Sequence, residues 1–135
     1  MKRNPALQSL SREHHTALVL AKTCERVAQS GDEELIQQTC LRAIQIFSNE
    51  MEPHFQIEEQ TYLPLLRGTQ TQQLVEQTRA DHQELRELAN GLQQNNVEAL
   101  ASFGKCLSAH VRFEERELFP AIEGFLQRKS GSSLV

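Results

Sequence analysis

Apolar positions along this chain recur every three or four residues and rarely every second one, the period of helix and not of strand. From about Pro5 to about Gln29 the stripe is Leu7, Leu10, His14, Ala17, Leu18, Ala21, Cys24 and Ala28. It is led by Asn4-Pro5, an N-cap residue followed by proline at the first helical position. Ser30-Gly31-Asp32 stops this helix and caps the next. The second helix begins near Glu33 and turns Ile36, Cys40, Ala43, Ile44, Phe47, Met51, His54 or Phe55, Glu58 and Tyr62 inward. Pro53 falls inside that pattern and predicts a kink, or a restart of the helix at that point. Pro64 and Gly68 end it, and Thr69-Gln70-Thr71 reads as a polar connection. The third helix, about Gln72 to Gln93, buries Leu74 or Val75, Thr78, His82, Leu85, Leu88 or Ala89, and Leu92. After Gln94-Asn95-Asn96 the fourth runs from about Val97 to Gln127 on Leu100, Phe103, Cys106 or Leu107, His110, Phe113 or Glu114, Leu118, Ile122 and Phe125, weakened locally by Gly104.

Four amphipathic helices with short connections predict an all-α fold, an antiparallel up-down-up-down four-helix bundle. Residues 1–128 form one domain on this reading, and residues 129–135 a disordered polar tail. The second and fourth helices echo each other. His54-Phe55-Gln56-Ile57-Glu58-Glu59 is answered by His110-Val111-Arg112-Phe113-Glu114-Glu115, and Leu63-Pro64 by Phe119-Pro120, at one constant offset. The bundle is therefore expected to be an internal two-helix pseudo-repeat.

Composition narrows the function. At 135 residues the chain suits a single domain. A net charge of −4 with interspersed signs argues against a nucleic-acid surface. No apolar run reaches the ~18 residues that would span a bilayer, and Met-Lys-Arg-Asn-Pro is not followed by an apolar leader, so no membrane partner is expected. The three cysteines, Cys24, Cys40 and Cys106, are odd in number and widely spaced, which fits reduced thiols and a cytoplasmic setting.

The chemistry lies in the histidines. A His and a Glu four residues apart share one helical face, so His54 with Glu58 and His110 with Glu114 can hold metal jointly. His82 stands on the third helix, and the first offers His14 or His15. Periodicity favours His14, which shares a face with Leu10, Ala17, Leu18 and Ala21; the local echo favours His15, because His15-x2-Leu18 matches His82-x2-Leu85. The echo is given the greater weight, with His14 the alternative. The ligand set is then His15, His54, Glu58, His82, His110 and Glu114, able to hold two metal ions bridged by the two carboxylates. Glu59 and Glu115 are fallback ligands, or residues that orient a ligand histidine. Imidazole with carboxylate suits iron, manganese or zinc. The lack of cysteines at ligand spacing argues against a structural zinc site. Buried carboxylates in an apolar bundle would otherwise be costly. Tyr62 reads as a core aromatic with its hydroxyl at the bundle end, and Cys106 as a small buried apolar residue.

Glu13-His14-His15-Thr16-Ala17-Leu18, His54-x3-Glu58-Glu59 with Leu63-Pro64, Asp81-His82-Gln83-Glu84-Leu85, and His110-x3-Glu114-Glu115 with Phe119-Pro120 occur in this order over residues 7 to 126. In this ordered set the chain resembles the hemerythrin-like family, the HHE cation-binding domains. The resemblance implies a non-haem di-iron centre in a four-helix bundle, in a family whose members bind dioxygen or sense oxygen, iron or nitric oxide, some with links to iron handling or stress resistance. Two departures from the oxygen-carrying members stand out. Arg86 occupies the place of a second histidine one turn after His82, and the fourth helix carries acids at both +4 (Glu114) and +5 (Glu115) from His110. Fewer histidine ligands leave one metal position open. The expectation is a protein that binds or senses dioxygen, nitric oxide or iron and acts through a separate signalling partner. The alternative is an oxidase or peroxidase of the same architecture.

Overall fold

The computed structural model describes residues 3–133, with side chains through residue 128. Among them every regular element is helical. Four long helical runs follow one another: α1 over Pro5–Ala28, α2 over 33–65, α3 over Thr69–Leu92 and α4 over 97–133. The starts are chemically fixed. Asn4 accepts from the Ala6 amide, Asp32 from the Leu35 amide, and Asn96 from the amides of Glu98 and Ala99. Gly31 and Asn95, both at positive φ, reverse the chain between α1 and α2 and between α3 and α4. The connection expected at Thr69-Gln70-Thr71 is instead the first turn of α3, with Gly68 as its extended N-cap. The backbone of α4 continues to Ser133, across most of the stretch expected to be a tail; residues 134–135 of that expectation lie outside the described residues.

α2 and α4 are not uniform α-helices. Three five-residue turns close i→i+5: Phe47–Met51 and Glu58–Tyr62 in α2, and Glu114–Leu118 in α4. Each ends two residues before a proline, namely Pro53, Pro64 and Pro120. A proline ring inside a helix clashes with the carbonyl four residues back and cannot donate to it. Those carbonyls belong to Asn49, Gln60 and Arg116, the middle residues of the three wide turns. Widening the turn relieves the clash, and ordinary helical geometry resumes at Glu52 with Pro53 in its first turn, close to the restart the sequence predicted as one of two outcomes.

The buried side chains form two apolar clusters. The larger contains Leu20, Cys24, Phe47, Phe55, Leu85, Phe103 and Leu107. The smaller contains Leu7, Leu10, Leu63, Val75, Leu118, Phe119 and Ile122. Along α1 the inward set is Leu20 and Val27 where the stripe predicted Leu18 and Ala28, which are only partly buried. Gly104 has a packing reason: a Cβ there would come within 2.7 Å of the Ala21 carbonyl oxygen, so glycine lets α4 approach α1. Tyr62 is half-buried and its hydroxyl donates to the Ala6 carbonyl. Cys106 is half-buried rather than buried, its thiol 3.5 Å from Glu84 Oε1.

Candidate metal centre

Between the two apolar clusters lies a polar layer. On α1, His14 falls between buried Leu10 and Ala17; on α3, His82 falls between Val75 and Leu85. On α2 and α4, His54 with Glu58 and His110 with Glu114 fill the same depth, a turn apart on one face. All six side chains are buried, with Glu58, His82 and Glu114 at 0 % exposure. Glu58 and Glu114 are the first residues of two of the wide turns, so each carboxylate leaves the helix where the backbone is opened by the proline six residues on.

The six residues form two sets of four, and both sets use both glutamates. In the first half-site, His14 Nε2 lies 2.8 Å from Glu114 Oε1, and His54 Nε2 lies 3.0 Å from Glu58 Oε2 and 3.7 Å from Glu114 Oε1. In the second, His82 Nε2 lies 2.9 Å from Glu58 Oε1 and 3.7 Å from Glu114 Oε2, and His110 Nε2 lies 3.0 Å from Glu114 Oε2. Each carboxylate thus presents one oxygen to each half-site.

The residues fit a cation. Glu58 Oε1, His82 Nε2, His110 Nε2 and Glu114 Oε2 are buried and make no hydrogen bond, although they approach one another to about 3 Å. Close approach without alignment is what donors aimed at a shared central point show, and a buried polar atom without a partner is otherwise costly. Even after relaxation a buried ion carries a penalty of several kcal/mol, so two ionised glutamates here require cationic compensation. Without a metal, imidazolium protons supply it. Burial works against charge on His54, but hydrogen bonds and charge from Glu114 and Glu58 outweigh it and raise it to about 11. Burial likewise opposes charge on His110, which Glu114 and Asp81 raise to about 10. His14 and His82 are raised against burial by the same carboxylates. Burial and the neighbouring charge of Glu114 push Glu58 up, whereas Glu114, despite burial, is held well below the usual carboxylate range by His110 and the other imidazoles. A metal ion would replace these protons with a fixed charge.

Each imidazole is also gripped from outside. His14 Nδ1 lies 2.6 Å from Glu115, His54 Nδ1 2.9 Å from Glu13, His82 Nδ1 2.6 Å from Glu59, and His110 Nδ1 2.9 Å from Asp81. A carboxylate on Nδ1 fixes the tautomer that leaves Nε2 free to ligate. The four grips form a ring: α1 holds the histidine of α2, α2 that of α3, α3 that of α4, and α4 that of α1.

The structure brings together His54, Glu58, His82, His110 and Glu114. It does not bring in His15, which is exposed and lines a surface groove with Val19 and Leu35. The inward residue of α1 is His14, the alternative that periodicity favoured. Glu59 and Glu115 face the outer nitrogens of His82 and His14 and not the ligand layer. Arg86 lies outside that layer, bonded to Glu52 and Glu59. Glu13 and Asp81 were not singled out from sequence as orienting residues, although each directly precedes an inward histidine. A cavity of about 20 Å3 adjoins the first half-site, lined by His14, His54, His110 and Glu114, by apolar Ala17, Ile46, Met51, Phe55, Leu107 and Val111, and by Glu13, Thr16 and Glu50.

Residues 6–123 match the hemerythrin HHE cation-binding domain family. No curated protein and no solved structure matches the chain. The family match spans most of the sequence, and the chain belongs to the hemerythrin HHE cation-binding family.

Proposed function

We propose that this hemerythrin-family chain holds two iron ions, one between His14 and His54 and one between His82 and His110, both bridged by Glu58 and Glu114, and that it binds or senses a small diatomic ligand. The observation that carries the two-ion reading is the division of oxygens: each glutamate offers one to each pair of histidines. Two imidazoles and two carboxylate oxygens leave either ion short of the six ligands iron commonly takes in such surroundings, so a position remains for a further ligand. Manganese or zinc would fit the same donors.

The cavity favours a small ligand. Its volume of about 20 Å3 accommodates about one water-sized molecule, and its walls are mostly apolar. Dioxygen and nitric oxide suit it. Bound iron would supply the redox and ligand-binding chemistry. The chain's own residues hold the imidazoles in one tautomer, compensate charge and keep bulk water out. Binding or sensing is therefore preferred over an oxidase or peroxidase in stress or iron handling, and a sensor would act through a separate signalling partner. The three free thiols go with a cytoplasmic setting.

We also read the bundle as antiparallel and internally repeated. Ala6 meets Tyr62 and Glu13 meets His54, a pairing that runs down α1 as it runs up α2; the wide turns at Glu58 and Glu114 stand at the same offset as the sequence echo.

The test is the near-ultraviolet and visible spectrum of protein loaded with iron, recorded in air, after deoxygenation and after nitric oxide. Bridged-iron absorption that changes reversibly with the gas supports the proposal. A spectrum indifferent to both gases, at full iron content, contradicts the ligand reading.

A further inference from the structure

Two of the four orienting acids are themselves held, each by an arginine. Arg86 donates from Nε to Glu52 at 2.7 Å, and its other guanidinium nitrogens meet Glu59 at 3.1 and 3.3 Å. Its guanidinium carbon lies 5.8 Å from the Phe55 ring centre, and Phe55 stacks on His82 at 3.9 Å with 12° between the planes. His82 is the ring that Glu59 grips. Across the bundle, Arg3 donates to Glu115 at 3.0 and 3.1 Å and also reaches Glu123. Its guanidinium carbon lies 5.7 Å from the Phe119 ring centre, and Phe119 stacks on His14 at 5.1 Å with 14° between the planes. His14 is the ring that Glu115 grips.

The parts coincide: an arginine, two glutamates to hold it, a phenylalanine between arginine and histidine, and one of those glutamates on the histidine's Nδ1. Of these parts only the gripping glutamates, Glu59 and Glu115, stand at the offset of the sequence echo. At the echo's offset Phe55 aligns with Val111 and Phe119 with Leu63, and Arg3 comes from the residues before α1 while Arg86 comes from mid-α3. The arginines and phenylalanines of the two clamps thus come from unrelated positions. The unclamped acids differ. Glu13 makes no bond to an arginine among the described residues, and Asp81 has only Gln77 besides the histidine it grips. The clamped glutamates sit 2.6 Å from their histidines and the unclamped acids 2.9 Å.

We propose that Arg3 and Arg86 are positioning residues of the metal centre, each fixing one histidine of one half-site through a glutamate on its Nδ1 and a phenylalanine on its ring face. An arginine fork holds a carboxylate in one plane, and a stacked ring removes the imidazole's remaining rotation. The segment before α1 is in this way tied to the first half-site, and α3 to the second. The proposal rests on the two-ion reading of the site.

Zinc, which is diamagnetic, is the probe. Protein loaded with zinc alone is challenged with a chelator, and nitrogen-15 signals of the four ligand rings report which half-site empties. Arg86→Met is expected to empty the His82/His110 half-site about tenfold faster, the lower end for loss of an orienting partner, and to leave His14/His54 near the wild-type rate. Arg3→Met is expected to do the reverse. Because Arg86 acts in part through Glu59, Arg86→Met should quicken release less in a Glu59→Gln background than in the wild type. Unchanged release in both arginine variants, or additivity in the double variant, would overturn the proposal. If the wild-type chain takes up neither zinc nor iron, the two-ion reading falls, and the clamp is judged on the metal-free protein. There a shift of His82 Nδ1 but not His110 Nδ1 in Arg86→Met sustains it, and no shift overturns it.

Discussion

The two half-sites have the same ligands and different surroundings. Each has two imidazoles and one oxygen from each of two glutamates. Beside His14 and His54 there is a small cavity, which His110 of the second half-site also lines. Beside His82 there is Phe55, stacked flat at 3.9 Å, with Arg86 beyond it. His82 and Glu58 do not line the cavity. In the second half-site the four inward atoms are without hydrogen bonds, whereas in the first His14 and His54 still bond to the glutamates. Identical donors therefore need not do identical work: on the proposed reading an incoming molecule enters beside His14, His54 and His110, while His82 is held under Phe55.

The largest effect is expected where the half-sites are joined. Glu114→Ala removes an oxygen from both and leaves four imidazoles facing one carboxylate; bound metal should fall to near zero by elemental analysis, and retention of full content would rule out bridging. Next comes the first half-site alone. His14→Ala should lose about half the bound metal, one ligand in four being essential to a site of this kind, whereas His15→Ala should lose none. Equal losses would mean that α1 contributes differently from its placement here. Filling the cavity should separate the half-sites by function. Val111→Phe should keep both ions, abolish the spectral response to nitric oxide, and lower stability by about 1–3 kcal/mol through overpacking, measured by denaturant titration. The smallest effect is expected at the backbone. Pro64→Ala restores an amide that can close an ordinary helical turn on the Gln60 carbonyl, in the middle of the wide turn that Glu58 begins; metal release should quicken by less than the roughly tenfold expected for the orienting acids.

Much of this was legible in the sequence, for physical reasons that also mark the limits. His54, Glu58, His110 and Glu114 were readable because helical neighbours four apart must share a face. His82 was readable because it keeps step with Leu85 and Leu92. His14 was misjudged because a local echo, His-x2-Leu, was given more weight than the phase of the whole stripe. Leu10 four residues before it and Ala17 three after it already placed His14 inside. The orienting acids were harder. Glu13 grips a histidine 41 residues away and Asp81 one 29 residues away, and both lie toward the outer side of their own helices, where period alone reads them as solvated charge. The wide turns leave no trace in the apolar pattern, yet each precedes a proline at a fixed distance, which is a usable signal. Arg3 and Arg86 could not have been paired by the repeat, since of the clamp residues only Glu59 and Glu115 stand at its offset.

The account stands on two ions sharing two carboxylates in one layer of the bundle. Anomalous diffraction from crystals of the iron-loaded protein addresses that directly. Two peaks are expected, one between His14 and His54 and one between His82 and His110, each in contact with both Glu58 and Glu114, with added azide bound to the ion beside the cavity. A single peak, or two that do not share the glutamates, would contradict it.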